Sequence, residues 1–99
     1  MISIKIHRSY RIVVAVCDTD LIGKKFEEGK KQLEIKEYFF RGDEMAEENA
    51  IKTLEAQKRE DATFDIVGKE SIRAALKAGI ISKDYIAKIK NVPFALVLV

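Results

Sequence analysis

Residues 12–17 read Ile-Val-Val-Ala-Val-Cys, six apolar positions in a row and mostly β-branched. A run of this kind predicts a strand buried on both faces, because a strand with one wet face would alternate. Immediately before it, Ile2, Ile4 and Ile6 alternate with Ser3, Lys5 and His7, the period-two signature of a strand with one buried side. Four residues, Arg8 to Arg11, separate the two runs, which suits a hairpin. No apolar stretch in the chain exceeds six residues, far short of the ~18 residues that a membrane-spanning helix needs. The chain is 99 residues long, the size of one domain spanning 1–99 and enough to bury roughly two-thirds of its unfolded surface.

Further along, Asp18 to Gly23 reads as a turn or a single helical turn, capped by Asp and ended by Gly. Residues 25–28 and 31–36 read as two short strands around Gly29, followed by the aromatic cluster Tyr38-Phe39-Phe40 and Gly42. Asp43 is placed as the N-cap of a helix over 43–58, with Glu44, Glu47 and Glu48 in its first turns. A short strand over 63–67 ends at Gly68, and a second helix covers 69–78 with Gly79 at C′. Ser82 caps a short helix through Ala87, and residues 94–99 form a last apolar strand. Interleaved strands and helices with few long crossovers predict an α+β fold: a two-layer α/β sandwich, a mixed sheet with helices on one face.

Composition narrows the functional classes. With 47% hydrophobic and 34% charged residues, the chain has the profile of a soluble globular domain, and a cytoplasmic location is expected. No signal peptide is evident at the N-terminus. One cysteine and one histidine exclude an internal disulfide and a Cys/His zinc site within one chain, and no metal or cofactor is expected. Thirteen lysines and ten glutamates beside two asparagines and two glutamines match the composition of heat-adapted proteins. The net charge of +2 is unevenly spread: nine Lys/Arg against six Asp/Glu over residues 1–42, four against nine over 43–70, and five against one over 71–99. Basic ends around an acidic middle favour an anionic partner on one side of the molecule.

Four constellations carry candidate chemistry. Cys17 and His7 fail as a nucleophile and its base, since a hairpin turning at 8–11 puts them some 16 Å apart at about 3.3 Å per residue. No catalytic residue is therefore assigned. Asp18 and Asp20 form an Asp-x-Asp pair after a buried strand, a place for metal-binding carboxylates or, more simply, for turn chemistry. Gly68-Lys69 at a helix start offers free N–H groups and a charge to an anionic ligand, although the second glycine of a phosphate loop is missing. Lys24-Lys25 and Lys30-Lys31 flank the 25–36 hairpin, with Tyr38 close behind, a combination of phosphate attraction and base stacking used by single-stranded RNA binders.

The ordered set Val16-Cys17-Asp18, Leu21-Ile22-Gly23-Lys24, Leu33, Tyr38-Phe39, Gly42, Ile66-Val67-Gly68-Lys69-Glu70-Ser71 and Val92-Pro93 resembles a family of small archaeal proteins of unknown function, each about as long as this chain. The resemblance implies a two-layer α/β sandwich and an archaeal source, and brings no activity. Where many relatives read approximately Gly-Val-Pro-His-Ala-Gln, this chain has Asn91-Val92-Pro93-Phe94-Ala95-Leu96, with apolar side chains at the two polar positions. Three functions stay open from sequence. The first is a non-catalytic module for RNA or a ribonucleoprotein, connected with translation, using Lys24, Lys25, Lys30, Lys31 and Tyr38. The second is a small ligand-binding domain or enzyme using Asp18, Asp20, Gly68 and Lys69. The third is a structural subunit that pairs a sheet edge with a protein partner.

Overall fold

The structure is a computed structural model and describes residues 1–98. Strands β1 (Ile2–Arg8) and β2 (Ile12–Asp18) form the expected hairpin, in register from Ile2 opposite Asp18 to Arg8 opposite Ile12. β2 runs parallel to β6 (Thr63–Val67), and β6 is antiparallel to β8 (Val92–Val97). Two three-residue strands complete the edges, β5 (Asp43–Met45) on β1 and β7 (Ala87–Ile89) on β8, giving the order β5-β1-β2-β6-β8-β7. A separate hairpin, β3 (Lys25–Glu28) with β4 (Lys31–Glu34), makes a second small sheet.

Helices α2 (Glu47–Lys58) and α3 (Lys69–Lys77) pack on one face of the main sheet, as the α+β sandwich reading requires. Their core joins Ile2, Ile4, Val14, Val16 and Ile66 to Leu54 and Ile72. The reverse face is covered too: Ala15, Cys17 and Val67 pack with Phe26 and Leu33 of the small sheet and with Phe40 of the one-turn helix α1 (Glu37–Phe40). β2 is thus buried from both sides, and its apolar run is the sequence record of that position.

The polar side of β1 does not face water. Ser3 Oγ donates to the Phe40 carbonyl at 3.0 Å and accepts from the Gly42 N–H at 2.8 Å. Lys5 Nζ donates to the Tyr38 carbonyl, and His7 Nε2 lies 2.9 Å from the Phe39 carbonyl with its ring stacked on Phe39 at 4.6 Å. A carbonyl only accepts, so Nε2 is the donor. Three alternate residues of one strand therefore hold the three final carbonyls of α1, groups that a helix C-terminus leaves unpaired.

Several expected boundaries move. Asp43 is no helix cap: Asp43–Met45 pairs with Ile2–Ile4 of β1, and α2 begins only at Glu47 with Ala46 at its N-cap. Glu44 accordingly belongs to the sheet. The strand expected over 31–36 stops at Glu34, where α1 takes over after Lys36. The helix expected from Ser82 to Ala87 is a 3-10 turn, Lys83–Tyr85, followed by β7. β7 and β8 join through Lys90 and Asn91, both at positive φ (51° and 65°), which is the two-residue hairpin geometry that follows strand twist. The last strand starts at Val92, before Pro93 rather than after it, and Val99 lies outside the described residues.

Candidate functional site

Asp18 ends β2 at the point where α3 begins. Its Oδ2 accepts from the Glu70 N–H at 3.1 Å, and its Oδ1 from the Ser71 N–H and Ser71 Oγ, both at 2.8 Å. The carboxylate caps a helix 52 residues away in sequence. Gly68, at the N-cap of α3 with φ 108°, offers no side chain for that task, and a Cβ there would stand 2.3 Å from Asp18 Cγ. The anion position at this helix start is thus filled by the protein's own carboxylate. Beside it lies a cleft of about 220 Å³ lined by Asp18, Asp20, Leu21, Lys69, Asn91 and Pro93. Carboxylate oxygens of Asp18, Asp20 and Glu70 come within 4.8 Å of one another, a donor set of the type hard cations take. Two of the three are engaged: Asp18 holds α3, and Glu70 sits 3.3 Å from the Met1 amino group.

Cys17 is fully buried in the reverse-face core, opposite Ser3, while His7 stands opposite Val13 near the hairpin turn. Burial, assisted by the Asp18, Asp20 and Asp65 carboxylates, pushes the Cys17 thiol up to about 12. A thiol held protonated and out of reach is no nucleophile. Asp65, between Ala15 and Leu96 in the sheet, is also raised above its ordinary value by burial.

The second region is the outer surface of β3–β4 and α1. The aromatic triplet divides by exposure: Phe40 is buried, Phe39 half-buried, and Tyr38 is 70% exposed. Lys36 Nζ lies 5.9 Å from the centre of the Tyr38 ring. An open groove of about 660 Å³ runs past this tyrosine, lined by Gly23, Lys25, Glu34, Ile35, Lys36 and Glu37 as well. Lys25 is 3.3 Å from Glu27 and Lys36 is 4.0 Å from Glu34. Pairs between side chains this exposed are worth little and exchange readily for another anion.

The structure brings Lys25 and Tyr38 together on one groove, which Lys24 does not line. Lys30 and Lys31 are elsewhere. In the β3–β4 register Lys25 faces Glu34 and Lys31 faces Glu28, so the two lysine pairs sit about 10 Å apart at opposite ends of the hairpin. Lys25 and Lys31 also project from opposite sides of it, because Lys31 shares its side with the core-packed Phe26 and Leu33. At that far end Glu28 Oε1 accepts from the Lys90 N–H at 3.4 Å, which brings Lys90 next to the lysine-bearing turn. Sequence reasoning missed Lys36 and Lys90. Lys36 was recognisable two residues before Tyr38, whereas Lys90 reaches the hairpin only through the unanticipated β7.

A mixed six-stranded sheet with two helices on one face and a strand hairpin on the other defines a small α+β sandwich. The same fold occurs in an uncharacterised conserved protein from Methanopyrus kandleri, with a TM-score of 0.87 and 24% identity over 97% of this chain and 89% of that one. The chain belongs to DUF424, a family of proteins of unknown function whose profile matches residues 6–99. No curated protein is similar enough to match the chain. No helix among the described residues is long and apolar enough to cross a membrane.

Proposed function

We propose that this protein is a non-catalytic module that binds single-stranded RNA, alone or within a ribonucleoprotein, along the β3–β4 hairpin and α1. The observation that carries this reading is Tyr38. Its ring is 70% exposed, yet its backbone is held by Lys5 and its helix by Ser3 and His7. An aromatic ring in water on a backbone held in place is a stacking platform part of whose ordering cost is met before a ligand arrives. Lys25 and Lys36 beside it supply phosphate contacts, and Lys30, Lys31 and Lys90, at the far end of the hairpin, form a separate basic patch.

The reading is tested with a single-stranded RNA oligonucleotide at low salt. Base stacking on an aromatic side chain is worth about 1–3 kcal/mol, so Tyr38→Ala is expected to weaken binding by about fivefold to 150-fold. Tyr38→Phe keeps the ring and is expected to keep most of the affinity. Wild-type protein that binds no RNA in the micromolar range, or a Tyr38→Ala protein that binds as wild type does, overturns the proposal.

A further inference from the structure

The reverse face of the main sheet is covered only in part. The small sheet and α1 close over the end that holds Cys17 and Val67, and reach as far as Ala15. Beyond them, strand register sets Val13 beside Thr63 in one row and Ala15, Asp65 and Leu96 side by side in the next. Val13 packs into neither core, and Leu96 is 56% exposed. An apolar strip of sheet is thus left open to water.

Asp65 stands in the middle of this strip. It is half-buried, and among the described residues no hydrogen bond or ion pair reaches its carboxylate. Its neighbours across the strands, Ala15 and Leu96, have side chains that offer neither. The basic groups of the same face are engaged elsewhere. Lys5 lies two strands away, about 10 Å, and holds the Tyr38 carbonyl, while His7 holds that of Phe39. Burial without a partner raises the Asp65 carboxyl above its ordinary value, a state that costs the unbound protein stability.

We infer that this strip docks a partner protein's helix whose apolar stripe carries one lysine or arginine, and that this cation pairs with Asp65. The charge selects the occupant. RNA is disfavoured, because phosphate would meet a carboxylate and the strip's Val13 and Leu96 give a base no ring to stack on. A second copy docked through the same strip about a two-fold axis would bring Asp65 towards its own counterpart, a like-charge contact. A cation set among apolar atoms supplies the partner that Asp65 lacks, and Val13 and Leu96 shield the pair from water. The inference stands apart from RNA binding at the hairpin.

The full chain, without RNA, is used to select from a displayed library of amphipathic helical peptides, randomised at one central position of the apolar stripe. Selected peptides are expected to carry Lys or Arg there. Selection on Asp65→Asn is expected to lose that preference, and the best wild-type peptide, made synthetically, is expected to bind this variant about tenfold or more weakly. Leu96→Ala is expected to weaken it about tenfold. Glu55→Gln, exposed on α2 across the sheet, is expected to bind as wild type does. A selection that yields no binder, binders without the central cation, or peptides that bind Asp65→Asn as tightly as wild type overturns the proposal. Should Asp65→Asn fail to fold, amide chemical shifts of the wild-type complex decide. Changes centred on residues 13, 63–65 and 96 uphold the docking strip, and changes confined to other residues overturn it.

Discussion

Asp18 and Gly68 fix each other's identity. The carboxylate satisfies two backbone N–H groups at the start of α3, and it fits only because residue 68 has no Cβ and takes a φ of 108°. Asp18→Ala removes a buried cap and is expected to cost about 2 kcal/mol. Gly68→Ala combines a strained backbone with a collision, and is expected to cost at least about 1–3 kcal/mol. The steric part disappears without the carboxylate, so Gly68→Ala is expected to cost less in the Asp18→Ala background. Equal costs in a urea double-mutant cycle would mean that the two residues act separately. Asp65 gives a pH prediction. Its folded pKa lies above the ordinary 3.8, so its contribution to stability is full below that value and is lost as pH rises through the folded pKa. Asp65→Asn removes the disfavoured charge. Its urea midpoint is expected to exceed the wild-type value at pH 7, with the difference shrinking at pH values below about 4.

At the scale of elements, legibility follows how local the cause is. β1, β2, β6, α3 and the β3–β4 hairpin were readable because alternation, continuous apolar character and the Gly68 and Gly79 boundaries lie within the segments themselves. β5 and β7 were not. Each has three residues, and each exists because a longer strand lies beside it: Asp43–Met45 against β1, Ala87–Ile89 against β8. Asp43 and the glutamates after it carry a helix-start signal that sheet pairing overrides. The polar residues of β1 were visible as an alternation, but nothing in it says that they hold α1. Ser3 is fully buried and satisfies both Phe40 and Gly42. Ser3→Ala leaves a buried carbonyl and a part-buried N–H without that partner and is expected to cost about 1–3 kcal/mol. Amide exchange over residues 38–42 is also expected to be faster in that variant, since the clamp holding the α1 backbone is weakened. Loss of stability with unchanged exchange there would place the role of Ser3 in β1 alone.

At the scale of the whole molecule, the sheet separates the lysine-bearing hairpin from the glutamates of α2, while Arg73 and Lys77 of the basic C-terminal segment lie on the glutamates' own face. The lysine-bearing hairpin and Tyr38 lie on the reverse face, and α2 with Glu47, Glu48 and Glu55 lies on the other. Glu47 is itself engaged there by Arg73 and Lys77 of α3, which hold its carboxyl below the usual range. Lys25 and Tyr38 were legible as a candidate surface from their types and closeness in sequence. The separation of Lys24 and Lys25 from Lys30 and Lys31 was not, because it depends on strand register. That separation makes the salt dependence of RNA binding the most direct test of the proposed surface. Each phosphate contact to a single strand contributes about −0.7 to the slope of log affinity against log salt. Lys25→Ala with Lys36→Ala is expected to flatten the slope by about 1.4 if both lysines contact phosphate. Glu47→Gln with Glu55→Gln on α2 is expected to leave it unchanged. A wild-type slope near zero, or equal flattening by both pairs of substitutions, would contradict RNA binding at this face.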